Sequence, residues 1–379
     1  MFRFADFRKC SDFGSSKIRA VAFNKINQKQ FHSIENRCLS ILKIKKLNLS
    51  NAEIIIKKII SEIEKKTNEY LDEINLMIDS PDALSISISL SKNIEGSKLR
   101  KEEVQYLIQN AKQQIIRSYP DKDIIHILVT NYKVDNVDYG FLPLNIECNK
   151  LDIDIAFICF PKKFIKSLEE LFSKHDVSIN QIIFSSYAKS LSYKKKLGSF
   201  EKITFIDIGY EKTSIICFNR ENFNFLNILS IGGHHITKDI SKILNIDLDK
   251  SEKVKLNFDK DDNYLNENNL SIDLIKKVIF ARIEEILEIG IKFFELNKDS
   301  NRSDQLKLIL MGEGSKILDN KFKDNISFSN DIDLLDETTL DICESGLNLI
   351  QGINKQEVVI IPKKFEKKGF FERLFHFFK

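Results

Sequence analysis

Four short stretches of this 379-residue chain place carboxylates, glycines and hydroxyls at spacings that suit a phosphate-bearing ligand. Asp12-Phe-Gly14-Ser15-Ser16-Lys17 and Asp207-Ile-Gly209-Tyr-Glu-Lys212-Thr213 share their offsets: an acid, a glycine, then a lysine. In the second, a β-branched run reaches the acid, turns through the glycine and returns, which is a hairpin pattern. A tight turn rimmed by backbone N–H groups can cradle a polyphosphate. A nearby carboxylate, Asp12 or Asp207, suits the Mg²⁺ that would come with one. Gly232-Gly233 leads into a helix start carrying Thr237, where free N–H groups and the helix dipole attract anions. Leu306–Met311 is a third β run ending in a turn, Gly312-Glu313-Gly314-Ser315. A plain structural turn is the competing reading of each stretch, and an N-cap is the competing reading of Thr237.

The elements that must position these residues follow from periodicity. Two hairpins of one type in two halves of a chain imply a duplicated fold that clamps a ligand between its halves. The run Arg8-Lys9-Cys10-Ser11 is a poor strand before Asp12. Residues 51–74 carry apolar positions at helical spacing, and Ile74–Ile78 reads as a core strand. Residues 84–162 read as a small inserted α+β module, with strands at 85–90, 124–134 and 153–160 and a helix over 101–117. His126, in mid-strand, reads as a core histidine. Helices are expected over 163–180, 272–296 and 338–355.

Composition narrows the classes. A net charge of +3 gives no pointer to nucleic acid. Six well-separated cysteines read as reduced thiols, with no metal-site spacing. The N-terminus lacks the apolar stretch of a signal peptide, and no apolar run reaches membrane-spanning length.

Three such turns in this order resemble the actin–Hsp70–sugar kinase superfamily. Gly232-Gly233-x-x-Ile236-Thr237-x-Asp239-Ile240, followed by Ser251-Glu252-Lys-Val-Lys255, resembles the FtsA family of actin-like bacterial division proteins. So do Ile124–Val129 and Tyr132–Asp135 of the insert. The resemblance implies a two-lobed, actin-like α/β ATPase fold with an SHS2-like insert. Residues 1–83 and 163–197 would form the first lobe and 84–162 the insert. Residues 198–335 would form the second lobe, with 251–305 its small subdomain, and 336–356 would close onto the first lobe. It also implies ATP and Mg²⁺, with Gly14, Ser15, Ser16, Lys17, Gly209 and Thr213 at the phosphates. Gly232, Gly233, Gly312, Gly314 and Ser315 would lie on the nucleoside side, and Glu252 and Lys255 at ribose and adenine. Arg282 would contact the C-terminal tail of FtsZ, the tubulin-like ring protein, with a plain i,i+3 salt bridge to Glu285 as the competing reading, and the insert would meet other division proteins. The expected function is to anchor the FtsZ ring to the cytoplasmic membrane and to self-associate as filaments. A PilM-like pilus-assembly homologue, a sugar kinase and an Hsp70-type ATPase are the alternatives.

The chain also departs from that pattern. Ser185-Ser186 stand where the family carries a Glu-Pro near the γ-phosphate, Tyr210-Glu211 where it carries Gly-Gly, and Glu313 where it carries glycine. Serine is a poor base for water, so hydrolysis is expected to be weak or absent.

The tail is legible from physics alone. On a helix, Phe370, Phe371, Leu374, Phe375, Phe377 and Phe378 fall within an arc of about 160°, and Lys367, Lys368 and Arg373 flank them. Such a segment, within 357–379, lies in the interface of an anionic membrane rather than crossing it. The competing reading is a terminal helix packed on the protein's own core. The expected location is peripheral, on the cytoplasmic face of the bacterial cell membrane at the division site.

Overall fold

A computed structural model describes residues 7–24, 30–37, 42–43, 46–47, 49–198, 202–220, 222–257, 271–296, 306–318 and 331–351. Two five-stranded sheets dominate it. The first contains β1 (Phe7–Phe13), β2 (Lys17–Asn24) and β3 (Gln30–Arg37). After the two-residue strands β4 (Leu42–Lys43) and β5 (Lys46–Leu47) and the helix α1 (Leu49–Thr67), β6 (Glu73–Ile78) joins that sheet. An insert follows: β7 (Leu84–Asn93), α2 (Lys101–Ser118), β8 (Lys122–Val134), β9 (Val137–Tyr139) and β10 (Lys150–Pro161). Then α3 (Lys162–Ser173), β11 (Ser178–Phe184) and α4 (Ser185–Leu197) complete the first half.

The second half repeats the scheme with β12 (Lys202–Ile208), β13 (Thr213–Asn219) and β14 (Asn222–Leu229). Helices α5 (Gly233–Leu244), α6 (Leu248–Asn257) and α7 (Ile272–Leu296) lead to β15 (Leu306–Met311), β16 (Asp331–Leu334) and α8 (Thr339–Ile350). The strand orders are β11-β6-β1-β2-β3 and β14-β13-β12-β15-β16. In each half a hairpin strand, β1 or β12, pairs in parallel with the next strand out, β6 or β15. The duplication inferred from the two hairpins is therefore a duplication of sheet topology. The insert is a separate four-stranded sheet, β7-β10-β8-β9, with its own apolar core under α2.

Three local expectations change. Arg8–Ser11 does form a strand: Lys9 is buried but paired with Glu69 at 2.7 Å, and the Ser11 hydroxyl donates to the Arg19 carbonyl. Helix α1 ends at Thr67, well before Ile74, because Asn68 takes a left-handed conformation at φ 55°, a common helix stop. The helix expected to reach residue 180 ends at Ser173, and Asp176, at φ 59°, turns the chain into β11. His126 is buried, and its Nε2 accepts the Phe184 N–H at 2.9 Å.

Helix α8 lies across β1 and β2 of the first sheet and against α4. A capping box starts it, with the Thr338 hydroxyl accepting from Asp341 N–H. Cys10, Cys148, Cys159, Cys217 and Cys343 are buried free thiols. No described helix is long and apolar enough to cross a membrane. Lys367, Lys368, Phe370, Phe371, Arg373, Leu374, Phe375, Phe377 and Phe378, like Cys38, lie outside the described residues.

Candidate functional site

The two hairpins close with the same bond. Gly14 N–H donates to the Lys17 carbonyl at 3.0 Å, and Gly209 N–H to the Lys212 carbonyl at 2.8 Å. A β-carbon on either glycine would sit 3.0 Å from that carbonyl. Asp12 then faces Arg19 across its hairpin, and Asp207 faces Ser214 across the other. The turns meet at a cleft between the sheets, lined by Asp12, Gly14, Ser15, Ser16, Gly209 and Gly312 among others. A second chamber, lined by Lys17, Gly233, Glu252, Lys255 and Gly314, shares Ser16, Tyr210 and Glu313 with it. The first hairpin turn, Gly209, Gly233, Glu252, Lys255, Gly312 and Gly314 therefore line one crevice, whereas Thr213, Gly232, Thr237 and Ser315 do not line it.

The charges inside it are already paired. Arg19 binds Asp12 at 3.0 Å, Glu313 at 2.6 Å and Glu35 at 3.1 Å. Lys17 reaches Glu313 and Glu35, each at 2.8 Å. Lys189, buried on α4, binds Asp207 at 2.8 Å and Glu337 at 3.3 Å. Lys212 pairs with Asp79 and lies 3.3 Å from the Ser186 hydroxyl. The titration shifts follow from these contacts. Burial would raise Glu313, but Arg19, then Lys17 and Lys316, hold it at about 2. Burial opposes the charge on Lys189, but Asp207 and Glu337 outweigh it and raise the ammonium above its ordinary value. Asp207 is lowered because Lys189 and Lys212 outweigh burial, whereas burial and the Asp207 charge push Glu337 up against the pull of Lys189. Burial pushes the Glu211 carboxyl up to about 7.

Ser185 and Ser186 start α4, and their hydroxyls donate to Asp12 and Asp79, each at 2.8 Å.

The start of α5 differs from the expected anion site. Gly233 N–H donates to Gly209 O at 2.9 Å, His234 N–H to Tyr210 O at 2.7 Å, and His235 N–H to Gly232 O at 2.9 Å. The helix spends its first donors on the second hairpin turn. A β-carbon on Gly232 would lie 2.7–2.8 Å from Gly209 O, Lys212 N and Tyr210 O, so backbone packing alone demands that glycine. Gly312 has φ +92°, and a β-carbon there would collide with the Asp207 carboxylate and lie 2.6 Å from Ile208 O. Gly314 N–H donates to Ile208 O at 2.7 Å, and the Ser315 hydroxyl to Gly312 O.

Thr237, Glu252 and Lys255 form one buried knot. The Lys255 ammonium donates to Glu252 at 2.7 Å, Thr237 at 2.8 Å and Gly233 O at 3.0 Å. The Thr213 hydroxyl donates to Ile231 O at 2.7 Å. Arg282 projects from α7 onto α5: its Nε donates to Asp239 at 2.8 Å, and it also pairs with Glu285.

A magnesium polyphosphate does not fit these residues as they stand. Asp12 and Asp207 each already hold a protein cation. The phosphate chamber is lined by three cations, Arg19, Lys189 and Lys212, against five carboxylates, Asp12, Asp79, Asp207, Glu313 and Glu337. Each of the three cations is already paired with one of these carboxylates, so none is left over for an anion. Arg19, Asp79, Lys189 and Glu337 were not singled out in the sequence. Only Lys189 had a local signal, lying one helical turn beyond Ser185.

Two family models match the chain: "Cell division protein FtsA" over residues 204–355 and "SHS2 domain inserted in FTSA" over residues 84–159. Together they cover more than half of it. The FtsA of Buchnera aphidicola subsp. Acyrthosiphon pisum is 22% identical over 370 residues, covering 88% of this chain and 87% of that one. The FtsA of Agrobacterium fabrum is 22% identical over 264 residues, covering 64% and 58%. The FtsA of Helicobacter pylori is 27% identical over 142 residues, covering 36% and 28%. The chain thus spans less than two thirds of the length of these last two. Among solved structures, a PilM–PilN type IV pilus biogenesis complex aligns with TM-score 0.62 at 14% identity, over 88% of this chain and 89% of that one. The ethanolamine utilization protein EutJ from Carboxydothermus hydrogenoformans aligns with TM-score 0.53 at 12% identity, over 90% and 89%. At these identities the likeness is one of fold: actin-like, with an SHS2 insert.

Proposed function

The chain belongs to the FtsA family of cell-division proteins, and from that premise we propose that it tethers the FtsZ ring to the cytoplasmic face of the cell membrane. The observation that carries this reading is the insert. An SHS2-type module, matched over residues 84–159, sits between β6 and β11 of an actin-like lobe. The amphipathic, lysine-led sequence over 363–379 supplies the membrane anchor. A single tail of this kind binds reversibly, because each buried CH₂ adds only about 0.8 kcal/mol. A row of tails on a filament binds firmly by effective concentration, so self-association belongs to the same proposal.

The acidic FtsZ tail would meet the face that carries Arg282. That guanidinium already serves Asp239 and Glu285, so the peptide must compete with two carboxylates. No hydrolytic step is assigned to the cleft, and hydrolysis is proposed to be weak or absent. Its Ser185 and Ser186 hydroxyls are committed to Asp12 and Asp79.

Flotation with vesicles carrying anionic lipid tests the proposal, using the full chain and a form lacking 363–379, each with a peptide of the FtsZ C-terminal tail. The full chain should carry the peptide to the vesicles. The truncated form should stay behind at least about tenfold more, in line with losing a two-signal anchor, yet still bind the peptide. A truncated form that floats, or a full chain that ignores the peptide, would refute it. The second result would favour a PilM-like role, which the alignment with the pilus complex keeps in view.

A further inference from the structure

The duplication creates a second relationship that neither hairpin shows alone. In the first sheet Asp12 lies beside Met77 of the parallel neighbour β6, and in the second Asp207 lies beside Met311 of the parallel neighbour β15. Two residues beyond each methionine stands an acid, Asp79 in one half and Glu313 in the other. They occupy corresponding positions in the two halves. So do Lys17 and Lys212, whose carbonyls close the two turns. Each lysine crosses the cleft to the acid of the opposite half: Lys17 to Glu313 at 2.8 Å, and Lys212 to Asp79. The lysine side chains are 15% and 4% exposed, so both pairs are largely withdrawn from water and from salt screening.

We infer that these reciprocal ion pairs latch the two lobes together, and that charges built into the chain take the places a magnesium nucleotide would fill. The Lys189 ammonium bridges Asp207 and Glu337 as a divalent cation between two carboxylates would. Arg19 holds Asp12. Glu313 lays a carboxylate on Lys17 and Arg19, the place of a phosphate oxygen. A conventional cleft closes when the ligand's phosphates and metal bridge the lobes. This one carries both halves of that bridge in its own sequence, and closure needs neither Mg²⁺ nor ATP. The inference stands on the cleft geometry alone and does not rest on the tethering role.

Two measurements on the full chain test it. The first is a double-mutant cycle in melting temperature with Lys17→Met, Glu313→Gln and the pair, repeated with Lys212→Met and Asp79→Asn. Each single change should lower Tm by about 2–3 °C, and each double change by no more than the worse single. Strict additivity in both cycles overturns the latch. The second needs no variant: wild-type Tm with millimolar ATP and Mg²⁺, with ATP and EDTA, and with neither. The three values should agree within about 2 °C. A larger rise that EDTA abolishes would mean that Mg²⁺ reaches Asp12 and Asp207, and the substitution of built-in charge would be wrong. Should the cleft variants fail to fold, the wild-type series decides alone.

Discussion

Replacing Lys189 by methionine probes the centre of the cleft. The lysine is 6% exposed and lies 2.8 Å from Asp207 and 3.3 Å from Glu337. Methionine fills most of the same volume, so little of the effect comes from a cavity. What is lost is the ammonium between two buried carboxylates. Removing one partner of a buried pair costs about 3–5 kcal/mol, because the other is left charged and uncompensated. The expected loss at pH 8 is in that range, and its pH dependence has a definite sign.

In the wild type Asp207 is held below its ordinary value, Lys189 and Lys212 outweighing burial. Its contribution is present above the unfolded carboxylate value of about 4 and fades as pH falls through the lower folded value. Lys189 is raised, so its contribution is present below about 10.4 and fades only as pH climbs through the higher folded value. In the methionine variant burial works on Asp207 and Glu337 with much less opposition, so both take up protons more readily and the variant gains on the wild type as pH falls from 8 toward 5. Urea unfolding of both proteins at pH 8 and pH 5 reads this directly. A difference under about 1 kcal/mol at pH 8, within the range of an exposed pair, or a difference that widens at pH 5, would refute the reasoning.

Glu211 gives the opposite pH sign. Burial lifts its carboxyl to about 7, and its Oε2 has no hydrogen-bond partner among the described residues. The folded state therefore favours the protonated form, and the charge costs stability above pH 7 but nothing below about pH 4.5. Glu211→Gln should gain about 1 kcal/mol at pH 8, a figure discounted for partial exposure, and match the wild type near pH 4.5; equal urea midpoints at pH 8 would contradict it. Gly232→Ala should lose about 1–3 kcal/mol, since the new methyl meets three backbone atoms at 2.7–2.8 Å and the helix start must shift. Calorimetry would refute that if the variant melted within about 1 °C of the wild type.

Much of the fold was readable in the chain because it is written in local periodicity. The two hairpins, α7 over Ile272–Leu296 and the strand–helix–strand insert all answer to spacing along one segment. The offsets shared by Asp12–Lys17 and Asp207–Lys212 announced the duplication, because turn closure depends on only four or five neighbouring residues. β1 was harder to read: Lys9 and Ser11 look like solvent residues until Glu69 and the Arg19 carbonyl, from other strands and loops, satisfy them. The end of α1 rested on one left-handed Asn68, a conformation that composition does not announce.

The amino-acid sequence by itself determined the two halves and the glycine turns, with Asp12, Asp207 and the turn lysines at their ends, but not Arg19, Asp79, Lys189 or Glu337 beside them. Only the tertiary structure decided how their charges are spent. Parallel pairing of β1 with β6 and of β12 with β15 brings Asp79 and Glu313 to the turn ends of their own sheets, and the meeting of those ends across the cleft pairs Asp79 with Lys212 and Glu313 with Lys17. Those partners lie far apart in the chain, and Coulomb energy depends on separation in space and on burial, neither of which is a property of one segment.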